Sequence, residues 1–238
     1  MTNSIITAPL PGTVPDPKYP DSDGRFMGDS DFHNLALIDL RESLEDHFAD
    51  VSDVYVASNL ILYYKKGDPN KRRDPDVLVA RGVGKHRRRF FRIWEEKAIP
   101  RVLWEVASRK TWRTDVGEKR WLYARIGVKE YFIFDPEGRY LDPPLQGFRL
   151  VKGKSVRIKP NADGSLTSTE LGLRLLADGE RVRMFDVKSG QEILPLKEQV
   201  ELEKRRAEAL ANEAELEKRR ADELAGEVKR LRKRLKDE

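Results

Sequence analysis

The sequence predicts an α/β (α+β) fold: a mixed β-sheet flanked by helices, with extra β-hairpins and a C-terminal coiled-coil helix. Three observations predict it. Apolar runs of strand length alternate with helical periods between about residues 35 and 135. Turn signals centred on Gly, Asn and Asp then crowd 139–194. Beyond 193, apolar residues recur every seven positions in a charged background. The expected divisions are an irregular arm over 1–30, a globular domain over 31–192 and a helical coiled coil over 193–238.

In chain order, "APLPGTVPDPKYPDSDG" is rich in Pro, Gly and Asp and predicts an irregular arm. A helix follows from Ser30 or Asp31 to Phe48. His33, Leu37, Leu40, Leu44 and Phe48 fall on one face, and Ser30 or Asp31 can cap it. Segments 54–56 and 60–64 read as strands, and Asp68-Pro69-Asn70 as a turn. Segment 77–80 is a strand directly behind Asp74-Pro75-Asp76, and 82–98 a basic loop with a short helix. "RVLWEVAS" at 101–108 is a strand with a carboxylate in its middle. A helix over 116–126 ends at Gly127, and Asp115 with Glu118 resembles a capping box at its start. Segment 131–134 is an apolar strand turned by Asp135-Pro136-Glu137-Gly138. Turns at 161–164, 178–179 and 189–190 mark short hairpins.

The tail repeats "ELEKRRA" at 201–207 and 215–221, an offset of two heptads. Ile193, Val200, Ala207, Ala214, Ala221, Val228 and Leu235 recur every seventh residue. Leu196, Leu210, Leu224 and Leu231 fill positions three later, and Glu203 and Glu217 interrupt that row. In a parallel dimer Glu213 would face the partner's Lys218, and Glu227 the partner's Arg232. A dimerising coiled coil is one reading. A solvated helix held by local pairs such as Glu201–Arg205 and Glu215–Arg219 is the other.

Composition excludes several classes. The chain is polar for a globular protein, with 39% hydrophobic and 37% charged residues. It has no cysteine, which removes disulfides and thiolate metal sites. Three histidines, His33, His47 and His86, argue against a His-rich zinc site. No apolar run approaches ~20 residues, and no basic and apolar leader is readable, so a soluble cytoplasmic protein without a membrane partner is expected. The 46 Lys and Arg against 41 Asp and Glu permit a polyanionic partner. Gly82-Val83-Gly84-Lys85 lacks the spacing of a phosphate-binding loop, and no Gly-x-Ser-x-Gly occurs.

The acidic residues carry more. Asp76 sits at the mouth of one strand and Glu105 inside another. A buried carboxylate needs a cation or several donors. Arg101 lies on the same face of its strand but about 13 Å away, a poor partner for Glu105. Two carboxylates on adjacent strands can share a hard divalent ion; equally, Asp76 can cap a turn and Glu105 can pair with an arginine. Lys119 lies one turn before Leu122, Tyr123 and Ile126, on the inward face of its helix. It can face the carboxylates or snorkel to solvent.

"DPDVLVA", "VLWEVASRK" and "DVGEKRWLYARIGVKEYFIFDP", in that order, resemble the Uma family (Uma-two type), named for restriction endonucleases, within the PD-(D/E)XK nuclease superfamily. "YPDSDGRFM", "NLILYYKKGDPNKRRDPDV", "RRRFFRIWEEKAIP", "LDPPLQGFRL" and "TELGLRLLADGERVRMFD" extend the resemblance over about 20–238. It implies a restriction-endonuclease-like core and a Mg²⁺ (or Mn²⁺) ion held by Asp76, Glu105 and the Val106 backbone carbonyl. The superfamily usually places Lys two residues after the Glu. Here that residue is Ala107, and Lys119 matches the position of members whose lysine has moved to the next helix. Lys110 competes with it, because Arg109 stands where the family commonly has Pro. Ser108, Tyr123 and a helix-borne Glu42 or Glu45 are accessory candidates.

The resemblance thus implies a metal-dependent DNA endonuclease hydrolysing phosphodiester bonds, as a homodimer through its core, its coiled coil or both. "GKHRRRFFR", with Lys85, Arg87, Arg88, Arg89 and Arg92, could grip the phosphate backbone; ordinary solvated loops are also often basic. The contrasting reading is a non-catalytic nucleic-acid-binding or scaffold protein that keeps the fold and recruits partners through the coiled coil.

Overall fold

The computed structural model describes residues 9–14, 16–20 and 30–237, without the side chains of 233 and 235–237. Part of the N-terminal arm, much of "YPDSDGRFM" and the Leu235 side chain therefore lie outside the described residues. The chain divides into two units, Met1–Leu194 and Pro195–Glu238.

The first unit opens with α1 (Asp31–His47), whose N-cap Ser30 accepts a hydrogen bond from the His33 N–H. Strands β1 (Val54–Ser58), β2 (Leu62–Tyr63), β3 (Arg72–Arg73), β4 (Val77–Arg81) and β5 (Phe91–Arg92) follow, then a single helical turn, α2 (Ile93–Glu96). After β6 (Val102–Val106) the chain turns through α3 (Trp112–Thr114), a π-helical turn over Asp115–Lys119, and α4 (Arg120–Ile126). Strands β7 (Glu130–Phe134), β8 (Leu145–Val151), β9 (Lys154–Arg157), β10 (Leu166–Ser168), β11 (Leu173–Asp178), β12 (Arg181–Asp186) and β13 (Glu192–Ile193) complete it.

Six strands form the main sheet in the order β1-β4-β6-β7-β8-β9. Within this sheet only β6 and β7 run parallel, joined by the α3–α4 crossover; its other neighbours are antiparallel. The strands β10 to β13 make a four-stranded antiparallel sheet, and β3-β2-β5 a small third one. The predicted mixed α+β architecture is what forms.

The central strand β6 is buried along its whole length. Val102, Trp104 and Val106 pack with Leu37, Leu40 and Leu44 of α1 and with the four-stranded sheet. Leu103, between them, joins the opposite core with Tyr123 of α4, Tyr131 and Ile133. Strand alternation therefore aims Glu105 at the α4 side. A strand covered on both faces reads as a continuous apolar run, which is why Glu105 stands out in the sequence.

Two local expectations change. The helix before Gly127 begins at Trp112, not at 116. The Ser108 carbonyl accepts from the Thr111 and Trp112 N–H groups, so the chain turns three residues before Asp115. Asp115 is therefore inside the helical run and fully buried rather than a capping residue. Gly127, at φ 106°, closes α4 in the left-handed conformation, as the sequence predicts. Ile193, the first member of the seven-residue row, lies in β13, so that row starts in the helix at Val200.

The second unit is one helix, α5 (Leu196–Asp237), of 42 residues. Among the described residues no helix is long and apolar enough to cross a membrane.

Candidate active site

Strands β4 and β6 bring the two sequence-predicted carboxylates together. Their antiparallel register pairs Val77 with Trp104, which sets Asp76 beside Glu105 at the end of β6. Asp76 is fixed there by an anchor in the backbone: its Oδ2 accepts a 2.6 Å hydrogen bond from the Val106 N–H. Its Oδ1 faces His33 Nε2 of α1 at 3.6 Å.

Glu105 is 2% exposed. Its Oε2 accepts a 2.7 Å hydrogen bond from Lys119 Nζ, and its Oε1 a 2.7 Å bond from the Tyr123 hydroxyl. Lys119 also ion-pairs with Asp115 Oδ1 at 2.8 Å, and the Tyr131 hydroxyl donates to the Asp115 carbonyl at 3.1 Å. Asp115, Lys119 and Tyr123 are spaced four apart and line one face of the helical run. The π-helical turn lies under the first two, a distortion often found where a helix presents functional groups.

Three carboxylates thus share one lysine and one histidine in a place with little water. Burial pushes Glu105 up to about 8; Lys119 pulls it back, and Asp76 and Asp115 add to the rise. Asp115 is raised for the same first reason. Burial acts to lower Lys119, but Glu105 and Asp115 outweigh it and hold the ammonium above the ordinary lysine range. Burial, and then Glu105, push Tyr123 well up, so it stays a donor.

The other sequence candidates fall elsewhere. Ser108 bonds to Thr111, its Oγ 3.0 Å from Thr111 Oγ1, and shapes the turn into α3. Lys110 is exposed, and it is Lys119 that meets Glu105. Glu42 and Glu45 are exposed on α1, where Glu45 pairs with Arg41; the α1 residue presented to Asp76 is His33. Sequence reading places His33 on an apolar face and Asp115 at a cap. The signals for both roles are present in the sequence: His33 on the inward face of its helix, and Asp115 four residues before Lys119.

The side chains of the basic loop divide into two sets. Arg88 has a side-chain exposure of 0% and forks onto Glu96 at 2.7 and 2.9 Å. Arg92 is bound to Asp16 and Glu95, each at 2.7 Å, and stacks over the Tyr19 and Phe90 rings. Lys85 donates to the Phe48 and Ala49 carbonyls at the end of α1. Arg88 and Arg92 hold the fold together, because a charge in so dry a place must be paired, whereas Lys85 caps the end of α1 from an exposed position. Arg87 and Arg89 are exposed.

The Uma2 family model, described as "Putative restriction endonuclease", matches residues 9–178. Among solved structures, a crystal structure of "a putative nuclease belonging to DUF820 from Anabaena variabilis ATCC 29413" is similar at 14% identity and a TM-score of 0.46. That match covers 63% of this chain and 80% of the other. No curated protein matches. The family match spans well over half of the chain, and this protein belongs to the Uma2 family.

Proposed function

We propose that the protein is a metal-dependent endonuclease that hydrolyses phosphodiester bonds in DNA. The observation that carries this reading is Glu105, buried in a central strand beside Asp76 and salt-bridged to Lys119. A fold has little reason to bury two acids around one lysine, with a third beside them, for stability, because the desolvation of each charge opposes it.

The donor set fits a divalent cation of the Mg²⁺ class. Among the described residues no three His, Asp or Glu side chains are arranged to hold a metal by themselves. Asp76 and Glu105 would therefore hold it with the Val106 carbonyl, a sparse oxygen set of the kind that Mg²⁺ or Mn²⁺ completes with water. Burial first, and then the Asp76 and Asp115 carboxylates, raise Glu105, and a bound cation would oppose that rise. When bound, the ion supplies charge neutralisation at the phosphate and a more acidic water.

The chain's own residues do the rest. The Val106 N–H holds the Asp76 carboxylate in place, with His33 behind it. Tyr123 orients Glu105 through Oε1. Lys119, already protonated, places a positive charge beside the reacting phosphate. Exposed Arg87 and Arg89 add long-range attraction for the DNA backbone.

The test is a cleavage assay on several DNA forms with Mg²⁺ or Mn²⁺, with Glu105→Ala as control. Cleavage by the native chain that is lost in Glu105→Ala is expected; cleavage that persists in the variant refutes the assignment. A scaffold without catalysis would cleave nothing, and Mn²⁺ would leave its melting temperature unmoved.

A further inference from the structure

The helix α5 carries a row of large apolar side chains on open display. Val200, Leu210, Leu224 and Leu231 are 61, 66, 62 and 51% exposed. Small alanines, Ala207, Ala214 and Ala221, lie in the same stripe, and the row follows a strict heptad. Outside this stripe α5 is mostly polar, with local ion pairs such as Glu201–Arg205 and Glu215–Arg219; Leu202 and Leu216 are exposed apolar exceptions there. A stripe of this kind wants a second helix of matching period.

We propose that α5 pairs with α5 of a second copy of this chain, and that the two run antiparallel. In parallel order each residue of the stripe meets its own copy. Glu203 would then meet the partner's Glu203 and Glu217 the partner's Glu217 inside the seam, while alanine meets alanine and leaves it underfilled. Glu213 with the partner's Lys218 and Glu227 with the partner's Arg232, four favourable flanking contacts by symmetry, stand against those two buried like-charge meetings, so the seam decides between the two orders.

Antiparallel order removes both faults in one register. Ala207 then meets the partner's Leu224, and Ala221 the partner's Leu210, so large side chains fill against small ones. Val200 meets the partner's Leu231. Glu217 lies against the partner's Ala214 and Glu203 against the partner's Val228, so no carboxylates meet. Along one flank Glu213 meets the partner's Arg220, and Arg206 the partner's Glu227; by symmetry this gives four opposite-charge contacts. On the other flank Lys197 meets the partner's Arg232, a like-charge contact confined to the ends.

Charge also selects the register. Sliding by one heptad in one direction sets Glu213 against the partner's Glu227 and Arg220 against the partner's Arg220. Sliding in the other sets Glu213 against the partner's Glu213 and Arg206 against the partner's Arg220. Each slip turns attraction into repulsion along the same flank. This inference is independent of the proposed nuclease chemistry.

The chain has no cysteine, so single introduced thiols report orientation without background. The full chain should be a dimer by light scattering at about 100 µM. Under oxidation, Ala207→Cys mixed with Leu224→Cys should cross-link, while neither should cross-link with itself. In the antiparallel register the two thiols introduced at position 207 lie 17 positions apart along the axis, about 25 Å, beyond disulfide reach. Glu213→Arg should weaken the dimer about tenfold or more. Adding Arg220→Glu should restore it, whereas adding Lys218→Glu should not. A monomer at that concentration, self-cross-linking of either single variant, or rescue by Lys218→Glu instead would each overturn the proposal.

Discussion

Lys119 Nζ lies 2.7 Å from Glu105 Oε2, across fourteen residues of chain that run from the middle of the sheet to a π-helical turn. The contact has two consequences. It gives a buried strand carboxylate a cation, and it fixes that cation on the carboxylate that neighbours Asp76. Stability and chemistry at this site therefore depend on the same pair, and variants must be read on both.

The first prediction concerns proton uptake. Glu105 is raised from its ordinary 4.5 to about 8, mainly by burial. Below about pH 4.5 folded and unfolded chains both hold this proton. Between about 4.5 and 8 the folded chain keeps it and the unfolded chain has released it. The contribution of Glu105 to stability is thus lost as pH rises through that window, by at most about 1.4 kcal/mol per pH unit. Denaturant unfolding of the metal-free protein at pH 5, 6.5 and 8 should show a decline that is clearly shallower in Glu105→Gln. Equal slopes in the two proteins would refute the shift.

A second prediction separates the two duties of Lys119. Lys119→Met should abolish cleavage and also destabilise the fold, since it leaves Glu105 and Asp115 buried without their shared cation. Loss of one partner from a buried pair costs about 3–5 kcal/mol. The penalty should be smaller at pH 5 than at pH 8, because both acids can then take up protons. Unfolding curves at the two pH values measure this; a penalty that is the same at both would mean that the acids find other partners.

Much of this site is legible without coordinates. Glu105 is visible because a charge breaks a run that is otherwise buried on both faces, and Lys119 because its helix has an apolar phase to count from. Asp115 is misread for a physical reason. An Asp with a Glu three residues later is also what a helix start looks like, and only the turn made by Ser108 and Thr111 moves that start upstream. Which arginines are tied up inside the fold is hidden for another. Basic residues look alike in sequence whether they reach solvent or meet a carboxylate, and Glu96 and Asp16, the partners of Arg88 and Arg92, lie 8 and 76 residues away. Pairing across such distances is a property of the fold.

That difference yields a third prediction. Arg88→Ala should act on folding: its fork onto Glu96 is buried on both sides, and the orphaned carboxylate should cost about 3–5 kcal/mol. Arg87→Ala, at an exposed position, should leave stability within about 0.5 kcal/mol. It should instead weaken DNA binding and lower the salt slope by about one. Thermal melts, together with binding isotherms at several salt concentrations, distinguish the two. A large binding defect in folded Arg88→Ala would restore that residue to the DNA-facing set.

A fourth prediction lies away from the site and tests how the two larger sheets are joined. Glu130, 1% exposed at the start of β7, accepts hydrogen bonds from Arg149 Nε at 2.8 Å and from the Thr169 N–H and hydroxyl at 3.1 and 3.0 Å. It also accepts from the Glu170 N–H at 3.3 Å and from the Ser168 hydroxyl. Those last three residues end β10 and lead into β11, so one carboxylate ties the main sheet to the four-stranded one. Its removal strands a buried Ser168 hydroxyl and several part-buried donors at once, each costing about 1–3 kcal/mol where no water replaces the bond. Glu130→Ala should therefore lose about 3 kcal/mol or more. Glu130→Gln, which keeps one acceptor oxygen but brings an NH₂ group against the same donors, should recover only part of that loss. Glu130 pairs with Val102, three residues along β6 from Glu105, so cleavage per folded molecule should be kept in both variants. Denaturant midpoints give the stability, and cleavage rates scaled to the folded fraction give the activity. A scaled rate that falls with stability would mean that this joint also positions the carboxylates.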